Sequence, residues 1–369
     1  MGATLHDVAR AAGVSIKTVS NVVHDYPHVR RETRDRVLAA IRELDYRPNV
    51  SARGLRSGKT GVIGLAVPSL RENYFAELAD AVIRAAERRG LSVLIEQTNG
   101  DRTKELQSLS GGRLHLTDGL LFSPVSLGQG DADALDVRIP LVLLGERIFG
   151  GPTDHVTMHN TSSARAAVEH LLGLGRTRIA LIGAPSAGDA DASSGTLRLD
   201  GYRQALAAAG IPEVPELIRV AEPWNRETGA RAVRRMLEEG VSFDAVFALN
   251  DTLGLGVLRA LGEAGIRVPD DVAVIGFDDI DESRFSVPSM SSVDPGRDEI
   301  AEYAVELLVE RIAEKGERRQ PRQVKPDFRI VARESTGAVE TPGAVEAPGA
   351  VEARAADQAA RSGSSVVNT

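Results

Sequence analysis

The chain has 369 residues, a formal net charge of −8, 42% hydrophobic and 26% charged residues, and no cysteine. That length implies two or three domains with ample core, and the balance is ordinary for a soluble globular protein. Disulfides and thiolate metal sites are excluded. The N-terminus carries no apolar h-region of a signal peptide, and no apolar run reaches the length of a membrane span. The expected location is therefore cytoplasmic, which in a bacterium is the compartment of the DNA, with no membrane partner.

The run TLHDVARAAGVSIKTVSNVVH, Thr4 to His24, reads as two short helices joined by a tight turn. Leu5, Val8, Ala9 and Ala12 give the first an apolar face at helical spacing. Thr4 with Asp7 three residues on resembles a capping box. Gly13 suits the end of that helix because glycine tolerates positive φ. Ser15 caps the second helix, whose inner face is Val19, Val22 and Val23. A third amphipathic helix, roughly Arg31 to Leu44, presents Val37, Leu38, Ile41 and Leu44. The pattern is a helix-turn-helix with a packing helix, a compact all-α binding module.

Charge supports a nucleic-acid partner. The first sixty residues carry eleven Lys or Arg against six acids, a net of +5, so the other 309 carry −13. A basic head on an acidic body suits DNA. Ile16, Lys17, Thr18, Ser20 and Asn21 form the exposed face of the second helix. Lys17 can donate to guanine and Asn21 can pair with adenine. Ser15, Arg10 and Arg30 are placed for phosphates.

The segments TLHDVARAAGVSIKTVSNVVH, ETRDRVLAAIRELDYRPN (Glu32 to Asn49) and SARGLRSGKT (Ser51 to Thr60) resemble the head and hinge of the LacI/GalR transcriptional regulators. The likeness continues to about Thr336. It implies DNA contacts from Thr4, Ser15, Ile16, Lys17, Thr18, Ser20, Asn21 and Arg30. It adds Asn49, Ala52, Arg53 and Leu55 in the hinge, with Leu55 as a wedge in the minor groove. Two departures stand out. Arg30 opens the third helix where the family has Ser or Asn, losing a cap worth about 1 kcal/mol. Gly54 is a poor helix former, which suits a helix that forms only on DNA.

Pro48 breaks the third helix. From Val62 apolar strands alternate with amphipathic helices. VIGLAVP (Val62 to Pro68), LSVLIEQ (Leu91 to Gln97), GLLFSP (Gly119 to Pro124) and PLVLLGE (Pro140 to Glu146) read as strands. The helix after the first uses Phe75, Leu78, Ala79, Val82, Ile83 and Ala86. A second set follows: HVTMHN (His155 to Asn160), RIALIGA (Arg178 to Ala184), AVFALN (Ala245 to Asn250) and VAVIGFDD (Val272 to Asp279), with helices between. Repeated βα units imply two doubly wound α/β subdomains with parallel sheets.

The resemblance makes the body periplasmic-binding-protein-like, with a ligand cleft between subdomains and three chain crossings, near Asn160, Ser291 and Pro326. The expected organisation is a helix-turn-helix head over 1–47 and a hinge over 48–60. An effector-binding and dimerisation body spans 61–336. Its N-subdomain covers about 61–160 and 292–325, and its C-subdomain about 161–291 and 326–336. Residues 337–369, with GAVE recurring at a six-residue period, read as a disordered tail.

Ligands in such sheets bind beyond the carboxyl ends of strands. Asp278 and Asn250 close two strands, Arg198 starts a helix, and Trp224 is the sole tryptophan. With Tyr74 and Phe75 they offer the aromatic wall and directional hydrogen bonds that a polyhydroxylated ligand needs. The resemblance implies effector contacts at Tyr74, Phe75, Arg198, Trp224, Asn250 and Asp278.

Other chemistries find no support. Asp278, Asp279, Asp281 and Glu282 do not read as a metal set, because consecutive acids on a strand diverge. His155 and His159 on one strand would lie about 13 Å apart. Gly254-Leu255-Gly256 lies in a helix and is no dinucleotide fingerprint, and APSAG is no nucleophile elbow. The expectation is a non-enzymatic, cofactor-free, homodimeric repressor (a tetramer being possible). Its partners are a palindromic DNA operator and a sugar or sugar-derivative effector. A transport-type sugar-binding protein is the alternative.

Overall fold

The computed structural model describes residues 3–23, 26–46, 59–111, 116–186, 192–315 and 319–337. The hinge residues Asn49, Ala52, Arg53, Gly54 and Leu55, and the tail beyond Gly337, lie outside the described residues.

The head has three helices, α1 (Leu5–Ala12), α2 (Ile16–Val23) and α3 (Arg31–Glu43). The Thr4 amide donates to Asp7 Oδ2 at 3.0 Å and the Asp7 amide to Thr4 Oγ1 at 3.3 Å, completing the capping box. Gly13 ends α1 at φ 64, and Ser15 Oγ accepts from the Thr18 amide at 3.1 Å. Val8, Ala9, Ala12, Val19, Val22, Val37, Ala40 and Tyr46 form the head core. Leu38, expected in that core, is 40% exposed; Val37, one residue before it, and Ala40, two residues after it, take the inward positions. Arg30 makes no side-chain cap for α3.

The first α/β unit runs β1 (Val62–Val67), α4 (Asn73–Glu87), β2 (Ser92–Gln97), α5 (Arg102–Ser110), β3 (Leu120–Phe122), β4 (Leu141–Leu144) and β5 (Asp154–Val156). The second runs α6 (Asn160–Gly173), β6 (Ile179–Ala184), α7 (Ser194–Ala208), β7 (Ile218–Val220), α8 (Arg226–Glu238), β8 (Ala245–Ala248), α9 (Asp251–Glu263), β9 (Ala273–Phe277), α10 (Asp281–Phe285) and β10 (Ser291–Asp294). Then come α11 (Arg297–Ala313), β11 (Gln323–Val324) and β12 (Arg329–Val331). Two six-stranded sheets result, ordered β11-β5-β4-β3-β1-β2 and β12-β10-β9-β8-β6-β7. Among the described residues all pairings are parallel except β10 with β12. Interior strands β1, β6, β8 and β9 are almost wholly buried, so they read as continuous apolar runs. Edge strand β2 is largely open.

The chain passes between the sheets after β5, after β10 and between β11 and β12. The second passage corrects the expected boundary: β10 still belongs to the second sheet, so crossing follows Asp294 and not Ser291. The reading of His155 to Asn160 as one strand is also corrected. β5 stops at Val156 because the chain leaves the sheet there, and Asn160 already opens α6.

Glycines at three helix contacts let backbones approach. A Cβ on Gly201 would run into the Thr161 carbonyl, one on Gly229 into that of Leu253, and one on Gly256 into that of Arg226. The Gly254-Leu255-Gly256 run thus has a packing cause, since Gly254 also lies against the Met290 thioether.

A buried carboxylate ties the returning C-terminal segment to the first sheet. Asp154 on β5 accepts from Arg311 Nε and Nη2, both at 2.8 Å, and from the Arg322 amide at 2.7 Å. Burial raises its pKa, but the bonds from Arg311 and Arg322 outweigh that and hold it below the ordinary value. Removing one partner of a buried pair costs about 3–5 kcal/mol. Asp154→Ala should lose about that much in urea unfolding of the full chain. An unchanged midpoint would contradict this role.

Candidate functional site

Carboxyl ends of strands from both sheets converge on one cavity of about 290 Å³. The first subdomain contributes Glu72, Tyr74 and Phe75 around the start of α4, Glu146 beyond β4, and Met158 beyond β5. The second contributes Ser194 and Arg198 from α7, Trp224 from the loop before α8, Asn250 beyond β8 and Asp278 beyond β9. All six expected effector residues therefore line one cavity. Tyr74 and Phe75 pack edge to face, with ring centroids 5.2 Å apart.

Arg198 organises the floor. Its side chain is 2% exposed. Nε donates to Asn160 Oδ1 at 2.8 Å, and Nη1 donates to the Leu249 carbonyl. Nη2 lies 3.6 Å from Asp278 Oδ1 and 3.7 Å from the Met158 sulfur. The guanidinium sits 3.4 Å over the Phe277 ring and 5.7 Å from that of Trp224, a cation–π arrangement. Burial lowers its pKa, against the pull of Asp278 and Glu146. Asn160 Nδ2, buried beside it, has no hydrogen-bond partner among the described residues.

Trp224 Nε1 donates to the Gly183 carbonyl at 3.1 Å. Gly183 has φ 108 and lies in a register shift of β6; a bulge beside a site aims groups that a regular strand would not. Asn250 is the N-cap of α9, its Oδ1 accepting from the Leu253 amide at 2.8 Å. Asp251 lies fully buried, accepting from the Ile280 amide, Ser283 and Ser292, and burial raises its pKa.

Asp278 and Asp279 do not sit on a strand, contrary to expectation. β9 ends at Phe277, and both residues take positive φ, 106 and 47. Non-glycine residues there mark strain held by the surroundings. Arg297 supplies part of that hold, donating to the Asp278 carbonyl at 3.0 Å. The acids diverge because Asp278 turns to Arg198 while Asp279 pairs with Arg333 at 2.6 Å. Burial pushes the Asp278 carboxyl up to about 7, with Arg198 and Arg297 pulling down and Glu146 and Glu72 pushing up. Burial also carries the Tyr74 phenol well above its ordinary range.

Sequence reasoning missed Glu72, Glu146, Ser194 and Asn160. Glu146 Oε2 accepts from Ser194 Oγ at 2.7 Å, joining the two walls. It closes the strand PLVLLGE, so the strand-end rule used for Asp278 would have found it.

On the head, Lys17 and Arg30 are exposed and Ser15 is exposed but engaged as a cap. Thr4 is likewise a cap. Thr18, Ser20 and Asn21 are half-buried on α2. Ile16, expected on the outer face, packs partly against the head core. His155 is buried with Nε2 2.6 Å from the Gly145 carbonyl, and His159 precedes α6.

Residues 4–49 match the bacterial regulatory proteins of the lacI family, and residues 168–336 match the periplasmic binding protein-like domain. The ribose operon repressor of Escherichia coli (strain K12) is 33% identical over 326 residues, 88% of this chain and 97% of that protein. The chain belongs to the LacI family. Among solved structures, a LacI-family regulator from Sanguibacter keddieii is 51% identical, with a TM-score of 0.70 over 75% of this chain and 99% of that one. The Lac repressor dimer bound to operator and the anti-inducer ONPF is 28% identical, with a TM-score of 0.78 over 92% and 100%. A CelR–cellobiose complex is 32% identical, with a TM-score of 0.66 over 90% and 99%. LacI-family proteins are DNA-binding regulators, and no helix among the described residues of this one is long and apolar enough to cross a membrane.

Asp278 gives a pH test of the site. Its folded pKa lies above the unfolded value, so its contribution is full below about pH 4 and is lost as pH rises through about 7. The parent should lose up to roughly 4 kcal/mol relative to Asp278→Asn across that window. Parallel stability–pH curves for the two proteins would rule this out.

Proposed function

We propose that the chain is a homodimeric transcriptional repressor whose hold on a palindromic operator is set by a small sugar-like effector in the cleft. The observation that carries the reading is the cavity at the carboxyl ends of two parallel sheets, in a chain that begins with a basic helix-turn-helix. The aromatic pair Tyr74 and Phe75, the Trp224 ring and the polar groups of Asn250, Asp278 and Arg198 suit a ring bearing hydroxyls. The cellobiose held by CelR and the ONPF held by the Lac repressor support a ligand of this kind.

In the head, Lys17 and Asn21 read base edges while Ser15, Arg10 and Arg30 meet phosphates. Thr4, Ile16, Thr18 and Ser20 pack along the same groove. Asn49, Ala52, Arg53 and Leu55 form a hinge that enters the minor groove, with Leu55 as its wedge. Two heads related by a two-fold axis fit a two-fold symmetric site. The protein binds and releases without catalysis, uses no cofactor, and works in the cytoplasm on the nucleoid. Residues 1–47, 48–60 and 61–336 serve as head, hinge and effector body.

Selection of bound DNA from a random pool tests the reading. A palindromic site should emerge; loss of all retention on DNA would refute it. On the selected site Lys17→Ala should cost about 1–3 kcal/mol, and much less on random DNA. Equal losses on both would remove Lys17 from base readout.

A further inference from the structure

The cavity walls are unequal in charge. Among the described residues they carry four acidic side chains, Glu72, Glu146, Glu222 and Asp278, the last only partly ionised near neutral pH, against two guanidinium groups, Arg147 and Arg198. Both cations already serve protein acceptors. Arg147 donates to the carbonyls of Leu127 and Ala192, both at 3.3 Å. Arg198 serves Asn160, Leu249 and Asp278. The carboxylates keep spare lone pairs. Glu146 accepts one strong bond, from Ser194, and two long ones at 3.4 Å. The Glu72 carboxyl makes no hydrogen bond or ion pair among the described residues, and burial raises its pKa.

Helix N-termini usually favour anions, and α7 and α9 both begin at this cavity. Here those ends are occupied. Ser193 and Asn250 cap the first free amides, and the Glu146 carboxylate sits on Ser194 in the first turn of α7. A second anion would meet carboxylates in a partly desolvated space where charge repulsion is weakly screened. The same lone pairs suit hydroxyl donors. A cavity of about 290 Å³ is at the small end for ligand sites.

We infer that the cleft selects against negative charge: its ligand is an uncharged polyhydroxylated molecule of about monosaccharide size, and Glu72 and Glu146 exclude the acid and phosphate forms of that ligand. This rests on the effector reading of the cleft and narrows it to one chemical class.

Matched pairs test it. Glucose with glucuronate, and galactose with galacturonate, differ by a carboxylate of nearly the same size as the hydroxymethyl it replaces. Ribose with ribose 5-phosphate, and glucose with glucose 6-phosphate, add the phosphate. Each is titrated against the full chain by calorimetry and by Trp224 emission, alongside Glu72→Gln and Glu146→Gln. At least one neutral sugar should bind, with its acid or phosphate at least about tenfold weaker. Glu72→Gln, which breaks no bond of the fold, should shrink that gap severalfold, and Glu146→Gln should act in the same direction. An acid or phosphate that binds as tightly as its neutral parent overturns the inference and leaves the effector reading intact. An unchanged gap in both variants overturns the assignment to Glu72 and Glu146. Silence from every sugar, with operator binding retained, takes down both readings.

Discussion

Arg198 is the constraint on which the cleft depends. A buried guanidinium is tolerated only if its donors are satisfied and its charge is answered. Here the partners come from four places: Asn160 where the chain first crosses, the Leu249 carbonyl beyond β8, Asp278 beyond β9, and the face of Phe277. The residue that would touch a ligand is therefore also the pin that holds the second wall's strand ends in register. Truncating it would leave the Asn160 and Leu249 oxygens unpaired and Asp278 buried without its cation. A loss of ligand response in such a variant would mix recognition with folding, whereas Asp278→Asn and Glu72→Gln keep shape and separate the two.

The cleft is bridged as well as lined. Glu146 reaches Ser194 across the two walls. On the other side Arg297, from the helix packed on the first sheet, pairs with Glu77 at 2.7 Å and also holds the Asp278 carbonyl. The strained turn at Asp278 thus rests on a residue of the opposite subdomain. A ligand that displaces or strengthens these bridges changes the relative free energies of body conformations, which is how a binding event reaches a distant site.

Much of this was legible in the chain because each signal had one physical cause. The head carried cap, turn and periodicity together, and interior strands carried unbroken apolar runs because both faces are covered. The strand-end rule reached Asp278 and Asn250. Features set by tertiary context were not legible. Leu38 faces outward although its spacing fits an inner face, because Val37 and Ala40 fill the position. Asp278 and Asp279, at positive φ, are contacted by Arg297 and Arg333, far along the chain. Asn160 read only as a crossing point, since the demand it meets is made by Arg198. Glu72 is an isolated acid with no motif to mark it, whereas Glu146 was legible as a strand end.

On the proposed function, one chain couples a small-molecule cleft to a DNA-reading head. Coupling between two binding equilibria is reciprocal. The most direct measurement is the affinity of the full chain for its neutral sugar, by calorimetry, with and without saturating operator. Operator should change the sugar's Kd by at least about fivefold, and the sugar should change the operator's Kd by the same factor. Identical sugar affinity in the presence and absence of operator would contradict it.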